Sequence, residues 1–139
     1  MAEVFLSCST ARRALAESLA QDLESEGFSV WWDTSLLPIN FRDEIDRQLD
    51  EAKAVVIIWT PEAVGSRWVR AGADHAHRDG KLINTHAGDL DPGRIPKPFN
   101  QTSSAELTDR AAVVAAVKRL AGRSLFTHLA ALPTKTPAL

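Results

Sequence analysis

Hydrophobic residues recur at helical spacing in four stretches of the chain. These stretches cover about residues 11–26, 41–49, 66–80 and 108–122. In the first stretch the apolar positions repeat at i, i+4 and i+8, as Leu15, Leu19 and Leu23. In an α-helix this spacing places side chains on one face, so each stretch predicts a helix that packs against a core. We expect Gly27 to end the first helix, and Thr108 to cap the last.

Short apolar runs between these helices predict four strands, at residues 4–8, 29–32, 54–59 and 81–86. The run 54–59 is apolar without alternation, which is typical of a central strand buried on both faces of a parallel sheet. Residues 87–104 are rich in Gly, Pro, Asn and Ser and predict a loop. Strands that alternate with helices indicate a layered, flavodoxin-like α/β fold with helices on both faces of the sheet.

Polar residues follow the predicted strands at the positions where such folds bind ligands. In an open parallel sheet the ligand lies outside the carboxyl ends of the strands. Those ends carry Ser7, Cys8 and Ser9, then Trp32 and Asp33, then Trp59 and Thr60, and finally Asn84, Thr85 and His86. We therefore expect the functional site at this edge.

Length, charge and cysteine content narrow the class of protein. The chain has 139 residues, enough for one domain with its own core. Its net charge of -2 gives no electrostatic reason to expect nucleic acid as a partner. A single cysteine, Cys8, excludes an internal disulfide and is typical of a reducing compartment. No apolar run approaches the roughly 20 residues that span a bilayer. We expect a cytoplasmic protein that does not use a membrane.

Gly72 is the least expected residue in the helix over 66–80, for which Ser66 is a suitable N-cap. Glycine inside a helix costs roughly 1 kcal/mol relative to alanine. Two explanations are open. Either the helix packs tightly against a neighbour at Gly72, or the position has lost a side chain that once had a function.

Four motifs in order resemble a bacterial TIR (Toll/interleukin-1 receptor) domain. They are Val-Phe-Leu-Ser at 4–7, Gly-Phe-Ser-Val-Trp-Trp-Asp at 27–33, a Leu-Pro pair before Phe41, and Ser-x-Trp-Val from Ser66. The resemblance covers about residues 3–122 and implies a parallel five-stranded sheet. We accordingly assign residues 1–122 to a TIR domain, and expect 123–139 to be a tail that begins a linker to a further domain.

The resemblance also implies two kinds of function. Many bacterial TIR domains cleave the nicotinamide–ribose bond of NAD+ as substrate, without a cofactor or metal, in antiphage signalling. Others act by assembling with TIR domains, as homo-oligomers or filaments. The assembly loop would include Leu36, Leu37, Pro38, Ile39 and Asn40. Its apolar side chains suit a protein interface.

In the enzymatic members the catalytic glutamate stands four positions after the tryptophan of the Trp-Val motif, and in this chain that position is Gly72. The resemblance places the NAD+ contacts at Ser7, Cys8, Ser9, Asp33, Phe41 and Trp68. Trp68 could equally be packed in the core. We expect this chain to be inactive or strongly impaired, and a non-catalytic assembly or adaptor module is the alternative.

Other ionisable residues offer no clear replacement for the missing carboxylate. Asp74 lies about 200° around the helix from residue 72, so we expect a surface ion pair with Arg70. Glu62 and Asp33 are near strand ends, with no reason in the sequence to prefer either. His75 and His77 are two positions apart and do not share a helix face, which argues against metal ligation by the pair. We expect His86 to be a core or surface residue.

Overall fold

Five parallel strands form the centre of the computed structural model, which describes residues 3–32, 41–97, 99–101 and 104–122. In chain order the strands are β1 (Val4–Ser7), β2 (Val30–Trp32), β3 (Ala54–Trp59), β4 (Leu82–His86) and β5 (Ser104–Glu106). They lie side by side in the order β2-β1-β3-β4-β5, and every neighbouring pair is parallel. The expected parallel five-stranded sheet is confirmed.

Helices cover both faces of this sheet. They are α1 (Arg13–Ser25), α2 (Phe41–Glu51), α3 (Pro61–Val64), α4 (Arg67–Arg78) and α5 (Arg110–Leu120). One core cluster joins α1 and α5 to one face, and a second joins α2, α3 and α4 to the other. None of the described helices combines the length and apolar character that crossing a bilayer requires.

The strand β3 carries the middle of the core, as its unbroken apolar run predicted. All six of its residues are buried. Alternate side chains enter the two clusters, with Val56 and Ile58 on the α1 side and Ile57 and Trp59 on the α4 side. Trp59 donates its indole N–H to the side-chain oxygen of Asn84 at 2.9 Å, so its one polar atom is satisfied within the core.

Lys81 fastens the carboxyl-terminal end of α2 to the sheet. Its buried ammonium donates to the main-chain carbonyl oxygens of Asp50 (3.2 Å), Ala52 (2.9 Å) and Leu49. The last carbonyls of a helix have no partner inside the helix, and they carry the negative end of its dipole. A cation placed there both satisfies and neutralises that end. His75 of α4 lies against the same end, with Nε2 2.9 Å from a carboxylate oxygen of Asp50.

Two local features differ from the sequence predictions. The strand β5 falls at the end of the segment 87–104, which the composition predicted as loop. It pairs with β4 alone among the described strands. It has only three residues, which is too few for a hydrophobic repeat that would predict a strand. The last helix is capped by Asp109, whose carboxylate accepts from the N–H of Ala112 at 3.2 Å, and the prediction of Thr108 as cap is wrong.

Candidate functional site

A cavity of about 710 Å³ opens at the carboxyl ends of β1 and β2, beside α2 and α4. This volume lies in the range of ordinary small-molecule sites. Five positions that the sequence assigned to a site line the cavity together: Ser7, Cys8, Ser9, Trp68 and Gly72. The prediction is therefore confirmed for the ends of β1 and β2. It is wrong for the ends of β3 and β4, because Trp59, Thr60, Asn84, Thr85 and His86 do not line this cavity.

Other predicted positions fall outside the described part of the chain. Asp33 is among them, as are Leu36, Leu37, Pro38, Ile39 and Asn40 of the expected assembly loop and the expected tail 123–139. Phe41 is the first residue of α2, but the description does not extend to its side chain.

Gly72 is buried in α4, and no described residue fills the space in front of it. A Cβ built on Gly72 would meet no heavy atom within 4 Å among the described residues. Its backbone is not in the left-handed region that favours glycine, unlike that of Gly80, whose φ is 71°. Tight packing against the described residues therefore does not explain the glycine, because a Cβ at this position would point into the cavity.

Trp68 lies one turn before Gly72 on the same helix. Its side chain is 54% exposed and lines the cavity, so the alternative that it is packed in the core is wrong. The turn that carries it is fixed by Ser66, whose hydroxyl accepts from the N–H of Val69 at 3.3 Å, as the sequence predicted. An exposed indole next to a cavity offers a flat face on which a planar ring can stack.

The tryptophans of β2 also line the cavity. Trp31 and Trp32 both line the cavity, although they belong to the two different faces of the sheet. Trp31 stacks on Phe5, with ring centroids 5.1 Å apart. The expectation that these neighbours point to opposite sides of their strand is confirmed.

The turn after β1 is held by short-range contacts and by one arginine. The hydroxyl of Ser9 accepts from the N–H of Ala11 at 3.2 Å and so begins the 3-10 turn that leads into α1. The guanidinium of Arg12, in that turn, donates to the carboxylate of Glu62 at 3.3 Å and to that of Asp89. These contacts tie the turn to α3 and to the segment after β4.

The ion cluster of Arg12, Glu62 and Asp89 shifts the titration of its members. The hydrogen bond from Arg12 lowers the pKa of Asp89 below its usual value. A hydrogen bond from its own backbone N–H, aided by Arg12, lowers the pKa of Glu62. The two carboxylates raise the pKa of Arg12, with Asp89 the larger cause. All three groups therefore stay charged at neutral pH.

Neither Glu62 nor Asp74 replaces a carboxylate at Gly72. Glu62 is engaged with Arg12 and does not line the cavity. Asp74 is exposed, as expected, but its ion-pair partner is Arg78 at 3.4 Å, so the prediction of a pair with Arg70 is wrong. Both i−4 and i+4 neighbours lie within reach on a helix, and the sequence could not decide between them.

Histidines take two separate roles. His86 is buried and its Nδ1 lies 3.0 Å from the hydroxyl of Ser104, which confirms it as a core residue. His75 lines the cavity and lies close to Asp50 and Asp79, with one potential metal-binding atom from each residue within 4.8 Å of the others. The sequence pairs His75 with His77, whereas the closeness of His75 to Asp50 depends on the packing of α2 against α4.

Asp46 is the cavity residue of greatest chemical interest that the sequence did not single out. It lies on α2, next to the apolar position Ile45, and both residues line the cavity. Among the described residues that line the cavity it carries the only carboxylate. The apolar repeat of α2 places residue 46 at the border of the buried face of that helix. This pattern alone does not show which helix packs against α2, so it could not predict that Asp46 lines a cavity.

The sequence model of the TIR domain family matches residues 4–121 of this chain. The chain belongs to the TIR domain family. Among solved structures, the TIR domain of the Toll-related receptor TRR-2 from Hydra magnipapillata has a TM-score of 0.68 and 14% sequence identity, and the match covers 86% of this chain and 95% of that one. No curated protein sequence matches the chain.

Two further structures share the fold of this TIR domain. A metazoan TIR-STING receptor from C. gigas, in complex with 2',3'-cGAMP, has a TM-score of 0.71 and 19% identity over 84% of this chain. The match covers 39% of the receptor, so this TIR domain spans well under half of that protein. The TIR domains of the activated Roq1 resistosome, which recognises the pathogen effector XopQ, have a TM-score of 0.56 and 19% identity over 89% of this chain and 86% of that one.

Proposed function

We propose that this TIR domain binds NAD+ in the cavity next to Gly72, and that its cleavage of the nicotinamide–ribose bond is strongly impaired. The observation that carries the proposal is the open space at Gly72 inside a cavity that Ser7, Cys8, Ser9 and Trp68 also line. The position that holds the glutamate in enzymatic TIR domains faces the cavity here, but it has no side chain. We further propose that the protein acts in cytoplasmic immune-type signalling.

The chemistry explains why the missing side chain matters. When the bond between nicotinamide and ribose breaks, positive charge develops on the ribose ring. A carboxylate next to the ring stabilises that charge or accepts a proton from the attacking water, and a positioned acid or base contributes about 10²–10⁴-fold to the rate. Gly72 can do neither. Trp68 would still offer a surface for the nicotinamide ring, so we expect the chain to bind NAD+ even though it cleaves NAD+ poorly.

Nicotinamide release at high protein concentration tests the proposal. The chain as it stands should release nicotinamide slowly or not at all, and Gly72→Glu should raise the rate at least about tenfold. The matched control is Gly72→Gln, which fills the same space without a charge and should leave the rate low. Rapid turnover by the unchanged chain would show that no carboxylate is needed at residue 72.

A second candidate function is assembly with other TIR domains without catalysis. It is supported by the likeness to the TIR domains of a resistosome and by the apolar loop residues Leu36, Leu37 and Ile39. Light scattering should then show oligomers in the absence of NAD+. If Gly72→Glu folds normally, binds no NAD+ and releases no nicotinamide, the assembly function is the better account.

A further inference from the structure

Residues of α2 form one wall of the cavity that Gly72 of α4 also lines. Both helices link parallel strands and pack on the same face of the sheet, so they run in the same direction. Their carboxyl-terminal parts meet where the carboxylate of Asp50 lies 2.9 Å from Nε2 of His75. This contact fixes the register of one helix against the other.

One turn back from this contact, each helix presents a residue that lines the cavity. An α-helix advances about 5.4 Å per turn of 3.6 residues, so the step leads from Asp50 to Asp46 on α2 and from His75 to Gly72 on α4. Both Asp46 and Gly72 line the cavity. Asp46 is exposed on α2, and the axes of packed helices lie about 8–10 Å apart, so its carboxylate is within reach of a ligand that occupies the cavity at Gly72.

We infer that Asp46 supplies, from α2, the carboxylate that α4 lacks, and that it supports slow cleavage of NAD+ in this chain. The inference rests on the proposed function, since it concerns the same substrate and the same cavity. It predicts a low activity in a cavity that has no glutamate at residue 72. The nearby carboxylates of Glu62, Asp50 and Asp79 do not line the cavity, and His75 is in contact with the latter two.

The reaction balances without an additional reagent. The bond between C1′ of the ribose and the ring nitrogen breaks, and its electron pair leaves with nicotinamide. A water oxygen bonds to C1′, and the proton that this water loses passes to the Asp46 carboxylate and then to solvent. The products are nicotinamide, ADP-ribose and a proton. The negative charge of Asp46 stabilises the ribose ring while it is electron-poor.

The experiment compares Asp46→Asn in the unchanged chain and in the Gly72→Glu chain, by nicotinamide release and by NAD+ binding. In the unchanged chain, Asp46→Asn should reduce the slow release at least about tenfold, with NAD+ affinity changed less than about threefold. In the Gly72→Glu chain, Asp46→Asn should reduce nicotinamide release much less, because the glutamate then supplies the carboxylate. The matched control is Glu17→Gln, an exposed carboxylate on the opposite face of the sheet, which should leave both readouts unchanged.

The outcomes separate this inference from the proposed function. Asp46 has no catalytic role if Asp46→Asn leaves slow release unchanged, or if the unchanged chain releases nothing above the blank. An equal loss in both backgrounds assigns Asp46 a structural role and also overturns the inference. Failure of NAD+ binding together with a silent Gly72→Glu chain overturns the proposed function itself. Thermal unfolding of each variant confirms that the compared chains are folded.

Discussion

Replacing Gly72 by alanine should stabilise the protein, and this prediction tests the open space directly. A helical glycine costs about 1 kcal/mol relative to alanine, because it loses more backbone freedom on folding. The added methyl group would meet no described atom within 4 Å, so no packing strain opposes this gain. We therefore expect the free energy of unfolding to rise by about 1 kcal/mol.

For a domain of this size, that gain corresponds to a rise in Tm of about 4 °C. The measurement is urea unfolding at 25 °C together with a thermal scan. The matched control is Gly80→Ala, the same substitution at the end of the same helix. Gly80 has a φ of 71°, where a Cβ is strained, so this variant should lose about 1–2 kcal/mol.

A loss of stability in Gly72→Ala would refute the reasoning. It would mean that the backbone at Gly72 touches a neighbour too closely for any side chain. The glycine would then be required for packing, and a glutamate could not be accommodated either. The outcome of this variant therefore decides whether Gly72→Glu is a fair test of catalysis.

Two further predictions concern the cavity wall and the turn after β1. Trp68→Ala should weaken NAD+ binding at least about tenfold, because the stacking surface is lost. Its Tm should change little, because Trp68 is half exposed. Calorimetric titration measures the affinity and a thermal scan measures Tm, and an unchanged affinity would contradict the stacking role. The carboxylates of Glu62 and Asp89 have lowered pKa values in the fold, so their stabilisation is complete above about pH 5 and is lost as pH falls toward 3. Arg12→Gln should therefore flatten the dependence of Tm on pH between 5 and 3, and an unchanged slope would show that the cluster does not contribute.

The sequence was sufficient to predict those helices and strands whose hydrophobic pattern fits one kind of element. The apolar run of β3 and the leucine repeat of α1 could only be buried in one way, and both elements lie as expected. The three-residue strand β5 could not be predicted, because its position depends on hydrogen bonds to β4 rather than on its own side chains. Short edge strands of this kind carry too few residues to show a period.

The candidate site could be predicted only in part, for a similar reason. Residues that follow strands are brought together by the topology of a parallel sheet, so the sequence could predict that Ser7 and Ser9 lie at a common site. The position of Asp46 depends on the packing of α2 against α4, to which the contact between Asp50 and His75 belongs, and no local pattern in the sequence shows that packing. Asp89, the ion-pair partner of Arg12, lies 77 positions further along the chain, and no local sequence pattern indicates this pair.

The open space at Gly72 has an evolutionary consequence. Codons GGA and GGG for glycine become glutamate codons by one base change, and a Cβ at residue 72 would meet no described atom within 4 Å. A position that had closed by repacking would need several coordinated changes to recover. If Gly72 is encoded by one of these codons, a carboxylate at residue 72 is a single mutational step away, and the fold stays the same.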